Sequence, residues 1–572
     1  MPKISELTTL TLPVTSSDYA MIIRPASGGG YDSYKSSLRY LGHTTASGLL
    51  CGHINKITSD ASFAQGGGNL ADGYGTHAEG YYSTASVNYA HAEGAFCQAA
   101  SLASHAEGSG SYSGYSLFLD APTTSAPYSH AEGLFTRTSA EGAHSEGSSS
   151  FAVGVASHAE GNRTLSSGKS SHAEGLLCTA SADHSHAEGQ GCTAYGTGSH
   201  AEGWYSSASG SWSHAEGVST RAIGDYSHAE GQSTSAEGSL SHAEGNNCSA
   251  PGFSAHAEGY FATSSGNYSH AEGVATVAAM YGGHAEGSGS WAGFLFDSPA
   301  AVGNVSHAEG VLTRVNTIGG HSEGEMTTVE VYARGAHAEG FQTTASMPHA
   351  HAEGVLTYAN ASGSHAEGYD SITLGIGSHA EGLKTTASGD YSHTEGSFTS
   401  ASGYASHAEG VNTNVTAYGA HAEGHLTLAS GQYSHAEGVG SRATGQYSHA
   451  EGNSTLASGY ASHASGRYTS ASANYQHACG KFNVGDSNEN VLYIIGNGTG
   501  VGSRSNILVV TTSSLFINGY VTASAVVVPV TSSLEPVIGS MFYDVGLGKI
   551  FVFTGITGVD GYEGWQSTAA LS

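Results

Sequence analysis

The feature that most narrows what this chain can become is a fourteen-residue beat. Between Ala401 and Gly452 the motif His-Ala-Glu-Gly begins at His407, His421, His435 and His449. The same interval runs back through His393, His379, His365 and His351 to His337, and in the first half from His130 to His284. A period held that strictly marks a solenoid, in which every repeat is one coil laid on the coil before it.

Aligning the repeats with one another resolves a half-period of seven. Ser434-His435-Ala436-Glu437-Gly438 is followed by Ser441-Arg442-Ala443-Thr444-Gly445, and both halves read [ST]-x-A-x-G-x-x. Alternation at i and i+2 puts Ser/Thr and Ala on one face of a short strand and the two variable residues on the other. The Gly supplies the positive φ of a sharp turn. Each coil is therefore expected to be two short strands joined by tight turns, with Ser, Ala, Thr and Ala pointing inward. A helical solenoid fails, because a 3.6-residue repeat scatters the small residues round the barrel and a Gly in every seventh place costs about 1 kcal/mol. A calcium-binding roll needs GGxGxD, which is absent, and collagen needs Gly at every third residue. The fold class expected is all-β, a narrow parallel β-roll.

Composition agrees with that architecture. The chain has 572 residues with 83 Gly and only 11% charged residues, and stacking coils reaches this length without enlarging a core. A formal charge of −30 makes nucleic acid and anionic membrane poor partners, so neither is expected. No apolar run approaches the roughly 20 residues of a membrane-spanning helix, and membrane insertion is not expected. The opening MPKISELTTLTLPVTSS lacks the basic and apolar regions of a secretory signal, which points to synthesis in a cytoplasm. Cys97, Cys178, Cys192 and Cys248 each lie six residues after a motif His, in a column otherwise filled by Thr or Ser, as at Thr220 and Thr413. They read as small interior residues, with reduced thiols favoured over a Cys178–Cys192 disulfide.

Taken in order, residues 1–45 lack the beat and read as a separate N-terminal β-containing domain placed to anchor the rod. Residues 46–76 are a transition with cap coils, Phe63-Ala64-Gln65-Gly66 standing one period before His77. Residues 77–480 form the β-roll, with 28 motif His positions from His77 to His477 and three gaps that depart from fourteen. Two gaps hold similar insertions, Leu117-Phe118-Leu119-Asp120-Ala121-Pro122 and Phe294-Leu295-Phe296-Asp297-Ser298-Pro299. Leu117, Phe118, Asp120, Phe294, Phe296 and Asp297 are candidate surface-contact residues, for a receptor or for packing across an assembly. A shorter insertion lies between His321 and His337. Residues 481–533 read as a β-rich transition segment, and 534–572 as a C-terminal β tip domain whose GSMFYDVGLGKIFVFTG is hairpin-like.

Ser, Thr and Ala bury little apolar area at ~25 cal/mol per Å², so a roll built from them is expected to cover an outer face with something else. One outer face repeats His and Glu along its whole length, while the opposite face varies. That pattern fits contact with an identical ladder on another chain, a parallel homo-oligomer. The ladder is represented by His77, Glu79, His158, Glu160, His228, Glu230, His284, Glu286, His351, Glu353, His407, Glu409, His435, Glu437, His449 and Glu451. A carboxylate beside an imidazole favours the charged form and accepts its N–H, so the expected role is a structural network of His–Glu hydrogen bonds between chains. If the Glu residues raise the imidazole pKa, His-linked stability is present at low pH and declines as pH rises. Metal ligation is the sharper reading of His and Glu at i and i+2, which point the same way. The structural network is preferred, with no cofactor, no metal and no catalytic residue assigned. His421-Ala422-Glu423-Gly424-His425 is not the HExxH of zinc proteases, and a motif repeated uniformly is unlike an active site, so no enzyme is expected.

The coil [ST]-x-A-x-G-x-x resembles the head repeat of trimeric autotransporter adhesins of the YadA type, whose SVAIG is SHAEG here. That resemblance implies a homotrimer of left-handed parallel β-rolls, with His407, Glu409 and their equivalents where the family places apolar residues near the three-fold axis. The SHAEG form, followed by GNGTGVGSRSNILVV at Gly496 to Val510, looks like the tail fibres and related virion fibres of bacteriophages. The opening PKISEL and the closing GSMFYDVGLGKIFVFTG are similar to segments at the two ends of such proteins. What this resemblance implies is a trimeric spacer on the phage particle surface. Its N-terminal domain would dock on a virion attachment protein, and it could contact a host surface glycan or protein. A cellular surface adhesin and a glycan-cleaving tailspike are the alternatives.

Overall fold

The computed structural model describes residues 49–53, 55–113, 126–292 and 305–519, together with the strands Met541–Asp544, Lys549–Phe553 and Trp565–Ser567. The N-terminal domain expected at 1–45 and the insertion residues Leu117, Phe118, Asp120, Phe294, Phe296 and Asp297 lie outside the described residues. Among those described there is no helix, hence none long and apolar enough to cross a membrane. What they form is a parallel β-solenoid of about 30 turns at ~14-residue spacing. The chain falls into two compact units, Met1–Glu423 and Gly424–Ser572.

In the first unit a coil consists of a five-residue strand that starts at the motif His and a two-residue strand seven places on, such as His158–Asn162 and Leu165–Ser166. Strands at the motif-His position pair only with one another, and so do the strands seven places on, all in parallel; His421–Ala422 is a two-residue member of the first set. His158 lies opposite His172, Ala159 opposite Ala173 and Glu160 opposite Glu174. The irregular gaps leave this register untouched, since His105 pairs with His130 and His284 with His307. The two extra residues before His337 are taken up by an added turn that leaves Tyr332 80% exposed, and His321 still pairs with His337. Among the described residues the roll extends at least one coil before Phe63, because Leu49–His53 pairs in parallel with Phe63–Gly67.

Alternation decides what is inside. Ser157 just before the long strand and Ala159 within it, with Thr164 just before the short strand and Ser166 within it, are buried, while His158 and Glu160 are partly exposed. Small interior side chains let the two sheets approach closely, and several of the polar ones find local partners. Ser157 donates to the Gly154 carbonyl at 2.7 Å and Ser206 to the Gly217 carbonyl at 3.1 Å. Cys97, Cys178, Cys192 and Cys248 occupy this interior as free buried thiols. Larger interior residues are rare, with Val315 and Val329 fully buried on successive coils.

The motif Gly is required twice over. Gly161 has φ of 110°, and a Cβ placed there would lie 2.1 Å from the carbonyl oxygen of Gly175 on the next coil. Two further positions per coil are left-handed and on many coils are not Gly, as at Arg163 (φ 56°) and Ser170 (φ 53°). Each costs about 1 kcal/mol, offset by a main-chain bond to the previous coil: Arg163 N–H to Ser148 O at 2.9 Å and Ser170 N–H to Val155 O at 2.8 Å. A side-chain clamp recurs beside the second of these. Asp183, Asp225 and Asp390 accept from the N–H of Lys169, Ser211 and Ile376 on the preceding coil, each at 2.8 Å.

In the second unit the coils at His435, His449, His463 and His477 keep the same plan, and the stack is then closed. Val491–Asn497 pairs in parallel with His477–Lys481, placing Ile494 in the Ala478 register, fully buried. Buried Gln476 accepts from Ser472 N–H at 2.8 Å and donates to Asp486 O at 3.0 Å. Buried Asn483 exchanges bonds with the Ser470 backbone at 2.7 and 2.8 Å. The chain then turns antiparallel through Asn506–Thr511 and Leu515–Ile517. Farther on, Met541–Asp544, Lys549–Phe553 and Trp565–Ser567 form a three-stranded antiparallel sheet, with Phe542 opposite Phe551.

Candidate functional site: a ladder of imidazoles and carboxylates

Because every long strand repeats in register, each motif His lies on the next. In the first unit ring centroids are separated by 4.4 Å at His77–His91 and 4.9 Å at His270–His284, with planes 7° and 5° apart. His158 on His172 is typical at 4.7 Å and 2°. The column starts against Phe63, whose ring meets His77 edge-on at 4.8 Å. In the second unit the same stack runs from His435 to His477, and Tyr493 meets His477 edge-on at 4.9 Å.

The Glu two residues on stands beside its imidazole. Nε2 to Oε2 is 3.3 Å for His77/Glu79, 3.9 Å for His228/Glu230 and His351/Glu353, and 4.0 Å for His158/Glu160 and His284/Glu286. About a third of each imidazole and nearly half of each carboxylate faces solvent, 35% and 44% at His158 and Glu160. Glu409 acts on His407 electrostatically, and His407 stacks between His393 and His421. In the second unit the partnership shifts by a coil. His449 Nε2 lies 3.7 Å from Glu437, and His463 Nε2 lies within hydrogen-bonding reach of Glu451 at 3.2 Å. Thus the structure brings the ladder residues together in two columns on one outer face of each unit.

The charge state of the ladder differs from the sequence expectation. Burial lowers the pKa of His158 and His228, neighbouring imidazoles push the same way, and the carboxylates oppose this less strongly. His105, His337 and His365 are held down to about 4, by burial first and then by the His residues above and below. An imidazole sandwiched between two others loses water on both faces and would meet a like charge ~4.8 Å away on each side. At these imidazoles the expectation that Glu raises the value is therefore reversed.

Two surface features escape a sequence reading. The left-handed turn positions carry exposed aromatic rings, among them Tyr82 and Phe96, which stack at 5.8 Å, and Tyr433 and Tyr447, which stack at 5.3 Å. Their signal is the recurrence of Tyr, Phe and Leu on many coils at the positions five residues after and two before the motif His. The Asp clamp could have been found from the recurrence of Asp three residues before His186, His228 and His393.

Comparison with known proteins finds no family model that matches the chain and no curated relative that matches it.

Proposed function

We propose that this chain is a structural fibre protein that assembles as a homotrimer of left-handed β-rolls, with the His/Glu ladder of each copy turned toward the others. The observation that carries this reading is the uniform outer face. His and Glu recur on nearly every coil of a solenoid whose interior is Ala, Ser and Thr and whose remaining surface varies freely. An interior so poor in apolar area gains from covering an outer face, and a face identical on every coil is matched in register only by another copy of itself.

The resemblance of the SHAEG coils to phage fibre repeats supports a position on a virion, as a stiff spacer in a tail fibre or related appendage. Residues 1–45 would engage a virion attachment protein, and the C-terminal residues or the two inserted loops would contact a host surface glycan or protein. No chemistry is assigned to the chain.

Sedimentation equilibrium of the full-length chain tests the assembly. The expected mass is three times that of one chain, and a monomer at micromolar concentration overturns the proposal. Immunogold labelling of intact phage particles from the source tests the placement, with label on an appendage expected and label confined to host cell envelopes favouring a cellular adhesin. Release of reducing ends from host polysaccharide would point instead to a glycan-cleaving tailspike.

A further inference from the structure

In the first unit, imidazole and carboxylate from one strand face the same space without bonding. Nε2 and Oε2 are 3.9 Å apart at His105/Glu107, His200/Glu202, His228/Glu230, His256/Glu258 and His351/Glu353. That is too far for a hydrogen bond. The same Nε2 atoms are withdrawn from solvent and have no hydrogen-bond partner. A buried polar atom is normally satisfied, and here the deficit recurs coil after coil.

A shared cation removes it. Transition-metal ions lie ~2.1 Å from an imidazole nitrogen and from a carboxylate oxygen, so a single ion reaches both donors when they are less than about 4.2 Å apart. The in-strand pairs meet that condition from 3.3 Å at His77/Glu79 to 4.0 Å at His158/Glu160. The imidazole of the next coil adds a third donor atom, the three lying within 4.8 Å of one another in His91, Glu93 and His105 and in His158, Glu160 and His172. Because stacked rings are parallel, His158 and His172 differing by only 2°, their lone pairs do not converge on one point. The chelating unit is thus one His and one Glu of the same strand, with water or another copy of the chain completing the shell.

We propose that the ladder is a multi-site binding surface for borderline divalent transition-metal ions such as Zn²⁺, each held by the Nε2 of a motif His and the carboxylate of the Glu two residues on. An imidazole–carboxylate pair prefers Zn²⁺ over Mg²⁺ and Ca²⁺, which take all-oxygen shells. Ions on successive coils would be only ~4.8 Å apart, so mutual repulsion limits occupancy to about one ion for every two coils. The pair lies within one strand and does not depend on the copies associating.

The test uses the full-length chain without an affinity tag, stripped with EDTA and dialysed against Zn²⁺ at pH 7.5, with bound metal measured by mass spectrometry. On the order of ten Zn²⁺ per chain are expected by the same repulsion limit, with Mg²⁺ and Ca²⁺ not retained. Replacing four successive carboxylates (Glu202→Gln, Glu216→Gln, Glu230→Gln, Glu244→Gln) should remove about two of these ions. Replacing the four imidazoles instead (His200→Gln, His214→Gln, His228→Gln, His242→Gln) should do the same, with circular dichroism confirming that both variants fold. Less than one Zn²⁺ per chain, uptake unchanged in both variants, or equal retention of Mg²⁺ overturns the proposal. Sedimentation of the stripped and loaded samples keeps the two readings apart. A trimer that takes up no Zn²⁺ removes the metal site alone, and a monomer that takes it up removes the trimer alone.

Discussion

The coil at His228 and the coil at His477 share a plan and differ in what they were given to face. Around His228 the interior is Ser227, Ala229, Thr234 and Ala236, all small, and the outer face carries Glu230. Around His477 the interior gains Gln476 and Asn483 and is covered by Ile494, and the Glu position is Cys479, whose Sγ lies 3.2 Å from the Tyr493 hydroxyl. The strand, the imidazole stack and the parallel register persist in both. The coil at Phe63 keeps register with neither His nor Glu, pairing Phe63 with His77 and Gln65 with Glu79. Small interior residues are therefore what an internal coil needs, large or doubly hydrogen-bonded ones are what an end needs, and the carboxylate column is not needed for coiling at all.

The strongest way to break this comparison is to attack what all coils hold in common. Gly161→Ala puts a Cβ where the Gly175 carbonyl stands and forces an L-residue to φ 110°. A loss of at least about 3 kcal/mol is expected, measured as a fall in the urea midpoint. A change under about 1 kcal/mol would mean the coils can separate locally without cost. Next in size is the closing layer. Ile494→Ala opens the covered end of the second unit and should cost about 2–5 kcal/mol. It should also raise amide exchange in the coils at His463 and His477 well above that in coils of the first unit.

Acid separates the imidazole column from the carboxylates. In the folded chain His91, His158 and His228 sit below their ordinary value and His105, His337 and His365 lie at about 4. In the unfolded chain they return to about 6.5, so protons bind the unfolded state more readily. Stability contributed by these groups is complete above about pH 6.5 and is lost progressively as pH falls toward 4. Urea midpoints measured in EDTA, so that no ion competes for the imidazoles, should drop between pH 7.5 and pH 5. A midpoint that stays flat or rises on acidification would place the imidazoles in water.

Which features are legible in the sequence depends on which positions repeat. The fourteen-residue beat and the i, i+2 alternation expose the roll, its register and its interior, because Ser, Ala and Thr return at fixed places. Strain at Arg163 and Ser170 was not legible, since those columns accept many residue types and the requirement lies in the backbone. The direction of the imidazole shift was missed for a different reason. Glu160 is next to His158 in the chain and draws attention, whereas the burial that decides the charge comes from His144 and His172 one coil away on either side. The Asp clamp belongs to a column occupied by Asp or Asn on only some coils, so the sequence offers its position through that recurrence but not the coil its acceptor reaches. Asp225→Ala removes the acceptor for the Ser211 N–H and should cost about 1 kcal/mol, a loss that Asp225→Asn should largely restore.

The smallest expected effect is the one that most sharpens the comparison. Glu230 has nearly half of its side chain in solvent, does not hydrogen-bond His228 across 3.9 Å, and has a counterpart in Ser465 that leaves the coil intact. Glu230→Gln in EDTA should therefore shift unfolding by no more than about 0.5 kcal/mol. The same result at Glu160 and Glu353 would make the column dispensable to the chain that carries it. Retention of a residue on coil after coil that folding does not use is then explained by what meets the ladder from outside, whether a metal ion or another copy. A cost above about 1 kcal/mol at a single Glu would reverse that inference, returning the carboxylates to the fold and leaving the outer face without a partner to explain it.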